Sequence, residues 1–357
     1  MDKGNSERMG IMKKVIAILL AGAMALSAAA CSAGSSAPAA SSASAAGNGA
    51  ASASSQKQIK IGVIQLVEHP ALDAAYKGFV DGLKKEGYED GKNIKISYEN
   101  AQGEQANCQT IANKLVNEKS DLILAIATPA AQAVANTTKD IPILVTAVTD
   151  PASSKLVASN EAPGGNVTGT SDLTPVDEQI KLLKQILPNA KKVGLLYCSS
   201  EANSKFQIDI AKKSITAQGM ESVEATVSNS NEIQQVTQSL AGKVDAIYIP
   251  TDNMLAAGMA TVSMVTQPAK IPVIVGESGM IKNGGLATYG INYYDLGLLT
   301  AKQAVKILKD GAKPATMPIE YSKNCDLTLS TDVAAKIGIT FPQELLDKAK
   351  AASPSSK

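Results

Sequence analysis

The chain has 357 residues, 34 Lys and Arg against 33 Asp and Glu, a formal net charge of +1 and 45% apolar residues. That balance provides no global field for nucleic acid, and the length exceeds the roughly 100 to 200 residues that one core usually serves. One histidine and four cysteines are too few and too scattered for a transition-metal site of the usual ligands or for a disulfide framework, so no metal and no cofactor is expected.

The first element is the stretch Lys13 to Cys31, KKVIAILLAGAMALSAAAC. Two lysines precede a short apolar run weakened by Gly22 and Ser27, and small residues lead directly into Cys31, as in a secretory signal that ends at a lipidation site. Residues 1–30 are expected to be the signal peptide and Cys31 the lipidated start of the mature chain. Residues 31–57 are almost wholly Ser, Ala, Gly and Asn, with no apolar face to bury, and read as a flexible tether. The expected location is outside the cytoplasm, lipid-anchored to the cell membrane. Cys108, Cys198 and Cys325 remain, an odd set expected to act as small buried hydrophobes, although one pair could form.

From Gln58 the body is written twice. IKIGVIQL (Ile59 to Leu66) matches KVGLLY (Lys192 to Tyr197), DLILAIATP (Asp121 to Pro129) matches DAIYIPT (Asp245 to Thr251), and DIPILV (Asp140 to Val145) matches KIPVIV (Lys270 to Val275). These short apolar runs predict buried parallel strands. The helical patterns Leu72 to Glu86, Glu104 to Lys119, Pro175 to Leu187, Glu201 to Gln218 and Glu232 to Leu240 supply the crossovers that parallel pairing needs. The predicted fold is α/β, with two similar lobes, each an open and mostly parallel sheet flanked by helices. Glycine-punctuated segments at Pro163 to Thr170, Gly284 to Asn292 and Met317 to Leu329 suggest three crossings between the lobes, hence a hinge. The expected lobes are 58–165 with 293–317, and 166–292 with 318–351.

A hinge of this kind gathers the carboxyl ends of both sheets around one cleft, where ligands of α/β folds bind. Four strand ends are distinctive. Val67-Glu68-His69-Pro70 holds the only histidine, which in a loop is more often structural than functional. Thr128-Pro129-Ala130-Ala131 starts a helix at a strand end, so its free amides suit a carboxylate, with helix capping as the plain alternative. Thr146 and Thr149 could add hydroxyls to the same site, while Asp150-Pro151 makes a turn. Thr251-Asp252-Asn253 offers an acid and an amide from the second lobe, and Asp252 is assigned the ammonium of a zwitterionic ligand. Capping would explain Asp252 or Asn253 equally.

Enzyme signatures fail on inspection. Gly276-Glu277-Ser278-Gly279-Met280 has Met where a nucleophile elbow needs glycine, and Gly87 to Lys92 is one residue short of a phosphate loop.

The motifs EHPALDAA (Glu68 to Ala75), AIATPAAQA (Ala125 to Ala133), TAVTDP (Thr146 to Pro151), PGGNVTGTSDL (Pro163 to Leu173), PTDN (Pro250 to Asn253) and NYYDLG (Asn292 to Gly297) resemble, in order, those of ABC-transporter substrate-binding lipoproteins of the tryptophan/tyrosine-binding type. The likeness covers nearly all of Ile59 to Lys350. It implies a type I periplasmic-binding fold, no catalysis, and capture of an amino acid, aromatic in several relatives, for a permease and its ATPase. It also extends the expected ligand contacts to Ser278, Tyr289 and Asn292, with Tyr76, Tyr289 and Tyr293 as stacking candidates. An extracellular enzyme on the same scaffold is the alternative. A regulator's sensing domain would need a helix-turn-helix where the signal stands.

Overall fold

The computed structural model describes residues 58–352 apart from Lys323. The signal, Cys31 and the tether lie outside the described residues.

In chain order the elements begin with β1 (Ile59–Gln65), α1 (Pro70–Lys85), β2 (Ile94–Asn100), α2 (Gln105–Asn117), β3 (Leu122–Ile126), α3 (Thr128–Thr137), β4 (Ile143–Val148) and β5 (Val167–Ser171). There follow α4 (Val176–Ile186), β6 (Lys192–Cys198), α5 (Ala202–Ala217), β7 (Glu221–Val227), α6 (Ile233–Leu240), β8 (Ala246–Ile249), α7 (Asn253–Ala257), α8 (Met259–Thr266), β9 (Val273–Val275) and β10 (Ala287–Gly290). The chain closes with α9 (Tyr293–Asp310), β11 (Glu320–Tyr321), β12 (Asp326–Leu329), α10 (Thr331–Ile337) and α11 (Gln343–Ala352). No helix among the described residues is long and apolar enough to cross a membrane.

Two six-stranded sheets result, in the orders β11-β5-β4-β3-β1-β2 and β12-β10-β9-β8-β6-β7. All pairs are parallel except β10 with β12. The central strands β1, β3, β4, β6 and β8 are buried along almost their whole length, as expected when helices cover both faces of a parallel sheet. The first core packs α1, α2, α3 and α9 on the first sheet, and the second lobe divides its apolar side chains between two clusters, one on each face.

Sheet membership places the crossings differently from the glycine pattern. Val167–Ser171 and Glu320–Tyr321 both pair in the first sheet, so the chain changes lobe after Ser171, near Ile291 and between Tyr321 and Asp326. Gly169 lies inside β5 at φ 147, and a Cβ there would fall 2.1 Å from the Val145 carbonyl oxygen. Close approach of β4, rather than a hinge, accounts for that glycine. Cys108, Cys198 and Cys325 are free thiols. Cys325 is exposed, unlike the small buried hydrophobe the count suggested.

Candidate functional site

The strand ends meet as α/β topology requires. His69 follows β1 and stands immediately before α1, whose first residue is Pro70. The His69 ring is buried and crosses to the second lobe, with Nε2 3.4 Å from Asn253 Oδ1. Asn253 Nδ2 donates to Glu201 Oε2 at 2.6 Å, so its oxygen is the atom facing His69. Nε2 therefore carries the ring proton and Nδ1 is left as an acceptor, with no partner among the described residues. Burial lowers the His69 pKa to about 4, which keeps the ring neutral at physiological pH.

Beside it, β3 and β4 end in two alanines with positive φ, Ala127 at 82° and Ala147 at 53°. Alanine resists this region, so the pair stores backbone strain where the chain turns into the cleft. Ala127 precedes α3 without a side-chain cap, and the first helical bond runs from the Ala131 amide to the Ala127 carbonyl. The amides of Thr128 and Ala130 precede that bond and are open to an acceptor. The Thr128 hydroxyl is buried and has no partner among the described residues. Helix α3 packs against α5 of the second lobe.

The opposing wall is closely hydrogen-bonded. Asp252 accepts from the Cys198 amide at 2.6 Å, the Ser204 hydroxyl at 2.7 Å and the Leu255 amide at 2.9 Å, the last as N-cap of α7. Burial, with the nearby Glu201 charge, raises Asp252 to about 7. Glu201 accepts from the Asn203 and Asn253 side chains and from the Asn253 and Met254 amides. Gln207 Nε2 donates to Thr251 Oγ1 at 2.5 Å and reaches Thr149 Oγ1 at 3.3 Å. The two threonine hydroxyls are 3.2 Å apart across the cleft.

At the crossings, Asp172 follows β5 and Tyr293 opens α9. The Tyr293 hydroxyl donates to Asp172 Oδ2 at 2.7 Å. Asp172 Oδ1 is buried without a hydrogen-bond partner among the described residues. Burial lifts Asp172 to about 6, partly offset by the Tyr293 hydroxyl and the nearby Thr149 hydroxyl. Glu277 is raised to about 7 by burial and caps the turn at Ser278–Asn283 through the Gly279 and Met280 amides.

A central cavity of about 10 Å³ lies among His69, Thr149, Asp172, Asn203, Thr251 and Asn253. It offers room for about one water-sized group. On one side a groove of about 430 Å³ opens between Leu66, Val67 and Pro129 of the first lobe and Met254 and Ala257 of the second. Pro70, Glu277, Ser278 and Asn292 line a further cleft of about 390 Å³.

Of the expected contacts, His69, Thr149, Thr251, Asp252 and Asn253 line the central cavity. Thr128, Ala130 and Ala131 are buried at the α3 start, with Pro129 on the groove. Asp252 is poorly suited to an ammonium, because both its oxygens are held by its own lobe. Glu68 is exposed, and Thr146 is turned into the first lobe, where the Thr170 hydroxyl donates to it at 3.1 Å. Ser278 and Asn292 face the further cleft, Asn292 as the cap of α9. Tyr289 is turned to α11, where Lys348 Nζ donates to its hydroxyl at 2.9 Å. Tyr76 stacks on Tyr98 with ring centroids 4.7 Å apart, outside the cavity lining. Asp172, Asn203 and Glu277 also line the cavity and were not anticipated. Asn203 had a signal, since α5 follows β6 as α1 follows β1 in the repeated half.

The family model described as "ABC transporter substrate binding protein" matches residues 60–353. A tyrosine-binding protein of Clostridioides difficile is 43% identical over 320 residues, 90% of this chain and 91% of the relative. A domain from Streptococcus pneumonia solved in complex with L-Trp is 41% identical with a TM-score of 0.79, covering 82% of this chain and 98% of that one. The ligand-free, open structure of CD0873 from Clostridium difficile, a substrate-binding protein with adhesive properties, is 48% identical but has a TM-score of only 0.62, over 80% and 96% of the two chains. The greater identity goes with the poorer superposition.

Proposed function

The chain belongs to the ABC transporter substrate-binding proteins, and from that premise we propose that it captures an aromatic α-amino acid between its lobes and hands it to a permease powered by an ATPase. Its fold is the type I periplasmic-binding fold, and proteins of this family work outside the cytoplasm. The observation that carries the reading is the buried polar cavity walled by both lobes, with a half-apolar groove beside it. The L-Trp and tyrosine relatives support an aromatic ligand. In this reading the carboxylate lies at the α3 start, against the Thr128 and Ala130 amides, the Thr128 hydroxyl and the positive end of the helix dipole. The side chain extends toward Pro129 and Met254.

Binding across the cleft favours the closed state, which is how capture would be signalled to the permease. A family of binding proteins is the reason to prefer this role over an enzyme on the same scaffold. In the same proposal the lobes follow sheet membership, Cys31 carries the lipid, residues 1–30 are removed and residues 31–57 tether the body to the membrane. Replacement Cys31→Ser should release the protein from membranes or leave it unprocessed, and membrane fractionation at native size would contradict the anchor. Calorimetry with L-tyrosine, L-tryptophan and L-phenylalanine should give a dissociation constant at or below the micromolar range for at least one. Failure of all three would overturn the aromatic reading.

A further inference from the structure

We infer that the central cavity is an ammonium seat built by Asp172, His69 and Asn203, so that a free protonated amine is the group the protein selects. This rests on the amino-acid reading above and assigns one part of the ligand to one part of the cleft. Three buried atoms of the cavity-lining residues have no partner among the described residues: Asp172 Oδ1, His69 Nδ1 and Asn203 Oδ1. All three are acceptors. Asp172 uses its other oxygen for the Tyr293 hydroxyl, and His69 uses Nε2–H for Asn253. Asn203 commits its nitrogen to Glu201 Oε2 and the Thr251 carbonyl, both at 3.0 Å, and to Ser204 Oγ at 3.3 Å.

Buried acceptors without donors are unfavourable, and a set of three calls for a group that only donates. A primary ammonium has three N–H donors and no lone pair, and its charge is the complement of the Asp172 carboxylate. A carboxylate has no proton to offer these three acceptors, and a hydroxyl could satisfy one of them. The cavity, about 10 Å³, suits a group of water or ammonium size. Asp252 and Glu201 lie close by, but their oxygens are already engaged by their own lobe.

Placement gives the seat a second property. His69 comes from the first lobe, Asn203 from the second, and Asp172 from the crossing between them. One amine thus ties together both lobes and the hinge.

The test compares, on the wild-type protein, each of L-tyrosine, L-tryptophan and L-phenylalanine with its deamino acid and its N-acetyl derivative by calorimetry. Affinity should fall by about a hundredfold or more when the amine is removed or acylated. In Asp172→Asn, checked for folding by circular dichroism, the amino acid should weaken similarly and its advantage over the deamino acid should shrink to a few-fold. Deamino and amino forms binding wild type within tenfold would overturn the seat while leaving an aromatic binding site. Should no aromatic amino acid bind, the other common amino acids and their deamino counterparts serve as probes. Amine-dependent binding there upholds the seat and removes the aromatic reading, and amine-independent binding or none at all removes the seat.

Discussion

On the first-lobe wall of the cleft the α3 start has no side-chain cap, the Thr128 hydroxyl and His69 Nδ1 have no partner among the described residues, and two alanines hold positive φ. On the second-lobe wall Asp252 receives Cys198, Ser204 and Leu255, while Glu201 receives Asn203, Asn253 and Met254. Both walls are rich in polar groups at strand ends, yet among the described residues the first leaves the Thr128 hydroxyl and His69 Nδ1 open where the second leaves Asn203 Oδ1. The second uses carboxylates to fix its own loops, with Asn203 as the exception. A buried acid at a cleft is therefore evidence of recognition only once its hydrogen bonds have been counted.

Substitution at the two aspartates should separate these roles most sharply. Asp252→Asn removes an acceptor from buried donors and should lower unfolding free energy by about 2 to 4 kcal/mol in urea titration. Asp172→Asn should act mainly on binding. Equal stability of Asp252→Asn and wild type would place Asp252 with the recognition groups instead.

A smaller effect concerns pH and the ligand-free protein. Asp172, Asp252 and Glu277 have folded pKa values raised to about 6, 7 and 7 from 3.8, 3.8 and 4.5. The stability they lend is full below the unfolded values and is lost as pH rises through 6 to 7. His69 is depressed to about 4 from 6.5, so its contribution is full above 6.5 and declines as pH falls toward 4. Glu201 reinforces the Asp252 shift, and Lys282 opposes that of Glu277. The carboxyls outweigh the histidine, and the protein should be about 3 kcal/mol more stable at pH 5.5 than at pH 8. A melting temperature that falls on acidification over this range would show that the buried acids are better compensated than their surroundings indicate.

The smallest effect tests strain on the open wall. Glycine at position 127 relieves a φ of 82° but loosens the unfolded chain, for a net gain of about 1 kcal/mol. Loss of stability in Ala127→Gly would mean that the alanine is not strained there.

Much of the fold was legible because buried parallel strands are short apolar runs bounded by turns. Asp121 to Pro129 and Asp245 to Thr251 announced β3 and β8 in this way. The lobe boundary was read one strand early, because Gly169 serves close strand packing but looks in sequence like a linker residue. At the site, position was legible and role was not. An acid at the end of β8 showed that Asp252 would reach the cleft, but its donors Cys198 and Ser204 are 54 and 48 residues away. Asp172 depends on Tyr293, 121 residues distant, and only the folded hinge brings them together. Local patterns record periodicity and capping, not which buried atom is left without a partner.

Closure on a ligand is the central claim, and small-angle scattering with and without saturating L-tyrosine or L-tryptophan, whichever binds, tests it most directly. The radius of gyration should be smaller in the liganded protein than in the ligand-free one. An unchanged radius at proven saturation would contradict it.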